Sequence, residues 1–290
     1  MKTILKDVSG RIEPREIDAL KFIKETANEL GIKFFVVGAF ARDILFEHLH
    51  GIHTWRATKD IDIGIEVSNW DEFQHLTGML VTRGHFNSTE LPHRFSDSSS
   101  PIFVDIVPYG EITDSLRRIS WPPRHDRIMS MLGFEEAYLS TSTVRLSTEP
   151  MLDILVPAIP ALALLKIISW DDAWPERSRD AEDLLFILKN CMTEDYREKL
   201  YSSYSQLLIE ELYDPELASI RLLGQEIALM GNKETLRIVQ DILIGETDEN
   251  GALKLLSDMH KRTVADHSPL QLLKKLLQGI RDGSHQMQME

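Results

Sequence analysis

The chain has 290 residues, 43% of them hydrophobic, which is enough apolar material for a sizeable core divided between two domains. Its formal net charge is −14, with 17 Lys+Arg against 22 Asp+Glu in residues 1–150 and 15 against 24 in residues 151–290. With no long basic tract, that balance argues against extended non-specific nucleic-acid binding.

In chain order, Met1 to Asp7 has no extended apolar segment, so no secretory signal is expected. Pro14 suits a helix start, and Ile17, Leu20, Ile23, Ala27 and Leu30 form an apolar stripe that stops before Gly31. Residues 33–37 then read as a strand, ended by Gly38-Ala39, and helical periodicity resumes from residue 39 through Phe40 and Ile44. A strand that turns at a glycine into a helix places free backbone N–H groups and the positive helix end at the turn. Such a turn can cradle a phosphate.

The most informative segment is residues 60–67, Asp60-Ile61-Asp62-Ile63-Gly64-Ile65-Glu66-Val67. Its strict alternation is that of a strand with one buried face: the four aliphatic residues point into a core, and Asp60 and Asp62 share the other side. Carboxylates at i and i+2 stand roughly 7 Å apart at their bases and can lean onto a hard cation such as Mg²⁺. A wet acidic strand face is the plain alternative.

A helix is expected near 70–83, and shorter strands near 92–96, 102–107 and 143–147. The run 102–107 is apolar on both faces, which marks a central strand, and Asp105 interrupts it. A carboxylate there needs a partner. A cation shared with Asp60 and Asp62 would supply one; a buried Arg or a turn cap would also serve. Mixed strands with helices imply an α+β (mixed α/β) fold, with domain 1–155 followed by an all-helical domain 156–290.

In the second half, helices are expected from residue 158 and over 195–213, 216–230, 233–244 and 267–281. A turn is expected at Gly245–Gly251, and a frayed tail from Gly283. Lys166 lies in an otherwise apolar helix, so its ammonium is expected to reach a boundary or a cleft. The longest apolar run, Ile154 to Leu165, is broken by Pro157 and Pro160 and is too short to span a bilayer, so no membrane partner is expected. Cys191 is the only cysteine; an intramolecular disulfide is impossible, which fits a cytoplasmic protein.

Other clusters read more plainly. His48, His50 and His53 lack zinc-ligand spacing and suit a surface connection. The basic stretch Arg117 to Arg127 could hold a triphosphate or a single-stranded acceptor end, but with one aromatic it reads better as a solvated loop. For Trp170 to Trp174, core packing and capping are favoured over a partner surface. Arg42 and Asp43 fit either phosphate contact or a structural ion pair.

Gly38-Ala39 opening a helix with Arg42-Asp43, then Asp60-Ile61-Asp62, then Asp105, and finally Lys166 ahead of Arg179-Asp180-Ala181-Glu182-Asp183-Leu184, resembles the DNA polymerase β-type nucleotidyltransferase superfamily. Within it the pattern is most similar to the bacterial AbiEii-like abortive-infection toxins. The resemblance spans about residues 15 to 190. It implies a nucleotidyltransferase-type mixed sheet and a metal-dependent transfer of a nucleoside monophosphate from an NTP to an acceptor hydroxyl. Asp60, Asp62 and Asp105 would be catalytic and would hold Mg²⁺ or Mn²⁺. Gly38, Ala39 and Arg42 would bind the nucleotide phosphates, and Lys166 and Asp180 would contribute from the second domain. A toxin-like role is implied, with a tRNA end as acceptor and a cognate antitoxin as partner. Small-molecule nucleotidylation of the antibiotic-modifying type, and a non-catalytic nucleotide-binding or interaction protein, are the alternatives.

Two departures from the pattern stand out. Ala39 replaces the usual Ser or Gly, which keeps a backbone N–H but loses a hydroxyl. The 22 positions from Gly38 to Asp60 exceed the minimal spacing. Both bear on efficiency and substrate preference more than on reaction class.

Overall fold

A computed structural model describes residues 6–54, 60–248, 250–259 and 267–289. Trp55 of the His48–Trp55 connection and Thr58-Lys59 ahead of the acidic strand lie outside the described residues. The chain forms two compact units, Met1–Ala158 and Ile159–Glu290.

The first unit is α+β. It begins with β1 (Lys6–Asp7) and α1 (Pro14–Leu30). Pro14 at the first turn and Gly31 at φ 68 bound α1, as the proline-start and glycine-stop asymmetry requires. Then come β2 (Phe34–Val37) and α2 (Gly38–Asp43), which runs on as a π-helical turn over Ile44–His48. The acidic strand is β3 (Asp60–Glu66), and α3 (Trp70–Thr82) follows, capped by the Asn69 side chain accepting from the Glu72 amide at 3.0 Å. Next are β4 (Phe86–Ser88), β5 (Arg94–Asp97) and β6 (Phe103–Tyr109). A small hairpin of β7 (Arg118–Ser120) and β8 (Ile128–Ser130) leads to α4 (Phe134–Leu139), β9 (Ser142–Thr148) and β10 (Met151–Val156).

The five-stranded sheet has the order β2-β3-β6-β5-β4. Only β3 and β6 run parallel; the other neighbours are antiparallel. A second sheet, β1-β9-β10, is tied to α1 by the Lys24 ammonium donating to the Asp153 carbonyl at 2.7 Å. Ile61, Ile63 and Ile65 of β3 are buried with Val36, Val104 and Ile106 of the flanking strands. Burial of that aliphatic face dictates the register, because a one-residue slip would turn the isoleucines to water.

Among the described residues the second unit is all-helical: α5 (Ile159–Asp172), α6 (Arg179–Asn190), α7 (Glu194–Ser202), α8 (Ser205–Glu210), α9 (Pro215–Met230), α10 (Lys233–Thr247), α11 (Lys254–Met259) and α12 (Pro269–Met289). The single helix expected over 195–213 is two, broken at Ser203-Tyr204. The expected frayed tail is also corrected, since α12 continues to Met289. As far as Gly283 it packs on α9, where Gly279 and Gly283 face Gly224 and its neighbours. A Cβ at Gly279 would lie 2.1 Å from the Arg221 carbonyl, and one at Gly224 2.4 Å from that of Leu276. The two backbones meet where only glycine fits. Across the same crossing, the Arg221 guanidinium donates to Asp282 at 2.6 Å.

Every residue from Ile159 to Ile168 is buried, including Lys166. No helix among the described residues is long and apolar enough to cross a membrane.

Candidate active site

The acidic residues come together through strand register. Asp62 of β3 pairs directly with Asp105 of β6, and Asp105 pairs on its other side with Arg94 of β5. Residues opposite one another on adjacent strands project from the same face. Asp62, Asp105 and Arg94 therefore form one row across three strands, and Asp60 shares their face two residues from Asp62.

Arg94 binds this row tightly. Its Nε donates to Asp105 Oδ1 at 2.7 Å and its Nη2 to Asp105 Oδ2 at 2.7 Å, a two-pronged pair. The same Nη2 reaches Asp60 Oδ2 at 3.1 Å. The Asp105 side chain is 13% exposed and that of Arg94 30%, so the pair sits at the rim of the sheet face with water on one side. Hydrogen bonds to Asp105 push the Arg94 pKa above its ordinary value; partial burial opposes this, and the charges of Asp105, Asp60 and Asp62 add to it. Phe103 lies under the guanidinium with its ring centre 5.5 Å away.

On the other side of the row, Val37 pairs with Asp62, and Gly38 follows immediately as the first residue of α2. Gly38 adopts φ +65, and a Cβ there would lie 2.1 Å from Asp62 Oδ2. The strand–turn–helix thus brings backbone against an acidic side chain at a position where a substituent does not fit. Ala39 is the next residue of the turn.

The all-oxygen donor set of Asp60, Asp62 and Asp105 suits a hard divalent cation. Its present positive partner is the Arg94 guanidinium, a stand-in cation. Among the described residues, no three His, Cys, Asp or Glu side chains converge as a ready-made metal site. The residues fit a cation chemically, and Arg94 shares both oxygens of Asp105 and one of Asp60.

Arg42 and Lys166, the two side chains expected to offset phosphate charge, and Asp180 with them, stand in buried ion pairs. Arg42 is 1% exposed and donates to Asp43 Oδ1 from Nε at 2.9 Å and from Nη2 at 2.7 Å. It is a structural ion pair within α2, without a solvent face from which to reach a ligand. Lys166 does not open to a boundary or a cleft. Its ammonium is buried between Asp180 Oδ1 at 2.6 Å and Asp183 Oδ2 at 2.7 Å, which joins α5 to α6. Asp180 also accepts from Arg177 Nε at 2.7 Å. The reason for this correction is electrostatic: an apolar helix can bury an ammonium only beside carboxylates, and α6 supplies two at i and i+3.

Other expectations resolve similarly. Arg117, Arg118 and Arg124 pair with Glu135, Asp114 and Asp126 on the exposed surface. Trp121, 3% exposed, packs on Trp70 and Phe73 with centroids at 5.3 and 5.8 Å, so it is core and not a stacking platform. Trp170 is buried and donates to Asp258 at 3.0 Å, while Trp174 is exposed under the Lys254 ammonium.

Arg94 is the site residue that sequence reading missed. It lies in the short strand expected near 92–96, but its pairing with Asp105 depends on a register between strands. The requirement that Asp105 have a partner was the available signal.

No protein-family model and no curated protein sequence matches the chain. Among solved structures, it is similar to the antibiotic-resistance factor ANT(2'')-Ia at 14% identity and TM-score 0.35, over 70% of this chain and 100% of that one. A CCA-adding enzyme in apo form II matches at 13% identity and TM-score 0.32, over 96% of this chain and 74% of that one. The complex of a CCA-adding enzyme with ATP matches at 15% identity and TM-score 0.33, over 96% and 83%.

Proposed function

We propose that the first unit is a nucleotidyltransferase of the DNA polymerase β type, which moves a nucleoside monophosphate from an NTP to an acceptor hydroxyl. The observation that carries this reading is the row Asp62–Asp105–Arg94 with Asp60 beside it, set against the Gly38 turn. Carboxylates on two adjacent strands next to a backbone turn are what phosphoryl-type transfer asks of a protein, since its catalysis is chiefly positioning and charge stabilisation. Asp60, Asp62 and Asp105 would hold Mg²⁺ or Mn²⁺, which when bound offsets charge at the reacting phosphate and lowers the pKa of a hydroxyl. Gly38 and Ala39 offer backbone N–H groups at the start of α2, where a phosphate is favoured. The buried pair of Arg42 with Asp43 lies within α2, and that of Lys166 with Asp180 and Asp183 ties α5 to α6 within the second unit.

The AbiEii-like pattern supports a toxin-like role, with a tRNA end as acceptor and an antitoxin as keeper. Charge favours the second reading, a small hydroxyl-bearing acceptor of the antibiotic type. With 22 acidic against 17 basic residues in residues 1–150, the net charge disfavours a polyanion and favours a cationic molecule. The test is incubation of the full chain with each α-labelled NTP, Mg²⁺ or Mn²⁺, and either total tRNA or an aminoglycoside panel. Label transfer with pyrophosphate release, absent in Asp62→Ala, is expected. Nucleotide binding without pyrophosphate release from any mixture would show a binding protein instead.

A further inference from the structure

Arg94 is not among the groups the transfer reading needs, yet it makes the shortest contacts in the site. Both oxygens of Asp105 and one of Asp60 accept from it, at 2.7, 2.7 and 3.1 Å. A two-pronged guanidinium takes up part of the lone-pair capacity of these oxygens and so competes with a divalent cation for them. Two positive charges at the same carboxylates would also repel. We propose that Arg94 is a positioning residue that acts as the site's own counter-cation. It holds Asp60 and Asp105 together, and it must release them before a divalent cation is bound, so that it sets the cation affinity of the site.

The inference rests on the proposed nucleotidyl transfer for its purpose but not for its test. Geometry gives the arginine room to act this way: it lies on the short strand β5, is 30% exposed, and has the Phe103 ring beside it. A guanidinium with an exposed side can leave a carboxylate at modest cost, unlike the Arg42 pair, which is shut in the core.

The experiment is titration of the full chain with Mn²⁺ alone, without nucleotide, followed by electron paramagnetic resonance of the free ion. Arg94→Ala and Arg94→Gln should bind Mn²⁺ about tenfold more tightly than the unaltered protein, the change expected when a competing ion pair is removed. Arg94→Lys, which retains a competing charge, should return the affinity to near the starting value. Thermal melting adds a second readout: Arg94→Ala should melt lower than the unaltered protein without cation, and Mn²⁺ should raise its melting temperature by the larger amount. Unchanged or weaker Mn²⁺ binding in both Arg94→Ala and Arg94→Gln would overturn the proposal. Tighter binding in these variants with no transfer by any of the proteins would leave it standing and sink the transfer reading. Transfer by the unaltered protein with Mn²⁺ affinity unmoved by the substitutions would do the reverse.

Discussion

Gly38 and Asp62 approach so closely that a Cβ on residue 38 would lie 2.1 Å from the Asp62 Oδ2. The contact links the turn at the start of α2 to the acidic strand β3. Gly38→Ala must therefore move either the turn or the carboxylate, and it places an L side chain at φ +65. The backbone penalty alone is about 1–2 kcal/mol. The expected outcome is a lower urea midpoint together with loss of at least about 100-fold in transfer rate, since displacement by about 1 Å costs that much in a positioned site. Near-normal turnover would show that Asp62 does not act where it stands.

The three aspartates should separate into two kinds. Asp62→Ala and Asp60→Ala are expected to abolish transfer while changing stability by less than about 1 kcal/mol, because they remove negative charge from a crowded, half-exposed face. Asp105→Asn leaves Arg94 without its two-pronged partner and should cost about 1.5–3 kcal/mol. Urea denaturation beside pyrophosphate release distinguishes the two classes. Equal stability losses for all three would contradict the bidentate pairing.

How much of this was legible in the chain follows from how local each feature is. The strand of Asp60 to Glu66 and the helix of Pro14 to Leu30 announce themselves, because alternation and the helical stripe are written within each element and end at recognisable residues. Asp105 was visible as a lone carboxylate in an apolar run. Strands as short as Lys6–Asp7, Phe86–Ser88 and Arg118–Ser120 carry no measurable period and were missed. Arg94 was missed, and the carboxylate partners of Lys166 were not foreseen, for a different reason. Their partners come from another strand and another helix, so no spacing along the chain encodes them.

The α9–α12 crossing offers a test of the second unit. Gly279→Ala would drive a methyl group to 2.1 Å from the Arg221 carbonyl, and the helices must part to accept it. A loss of about 1–3 kcal/mol is expected, as for overpacked cores. Gly245→Ala in α10 is the control, because nothing lies within 4 Å of its Cβ position. It should stabilise the protein by about 0.5–1 kcal/mol through helix propensity. Thermal melting of the two variants should shift in opposite directions.

Lys166→Ala removes the ammonium between the buried Asp180 and Asp183, leaving Asp180 to Arg177, and should cost about 3–5 kcal/mol. Lys166→Ala combined with Asp180→Ala should cost less than the sum of the two single changes, because the second change removes a charge the first has stranded. Chemical denaturation of the four proteins in this cycle gives the coupling. Additive losses would show that the ammonium and carboxylate do not interact.

The same cluster sets a pH window. Burial alone would raise the Asp180 pKa, but Lys166 and Arg177 outweigh it and hold the carboxyl below its ordinary value. Burial would likewise lower the Lys166 pKa, and Asp180 and Asp183 together outweigh it and raise it. For the depressed acid, the stabilisation is present above the unfolded-state value of about 3.9 and is lost as pH falls through the folded value. For the raised base, it is complete below the unfolded-state value of about 10.4 and is lost as pH rises through the folded value. The contribution of the cluster should therefore be flat between these limits and decline outside them. In Lys166→Met, which has no ammonium to titrate, the loss of stability above about pH 10.4 should shrink relative to the unaltered protein. Urea midpoints measured from pH 5 to pH 11 on both proteins check this, and an identical alkaline decline in the two would exclude Lys166 as its source.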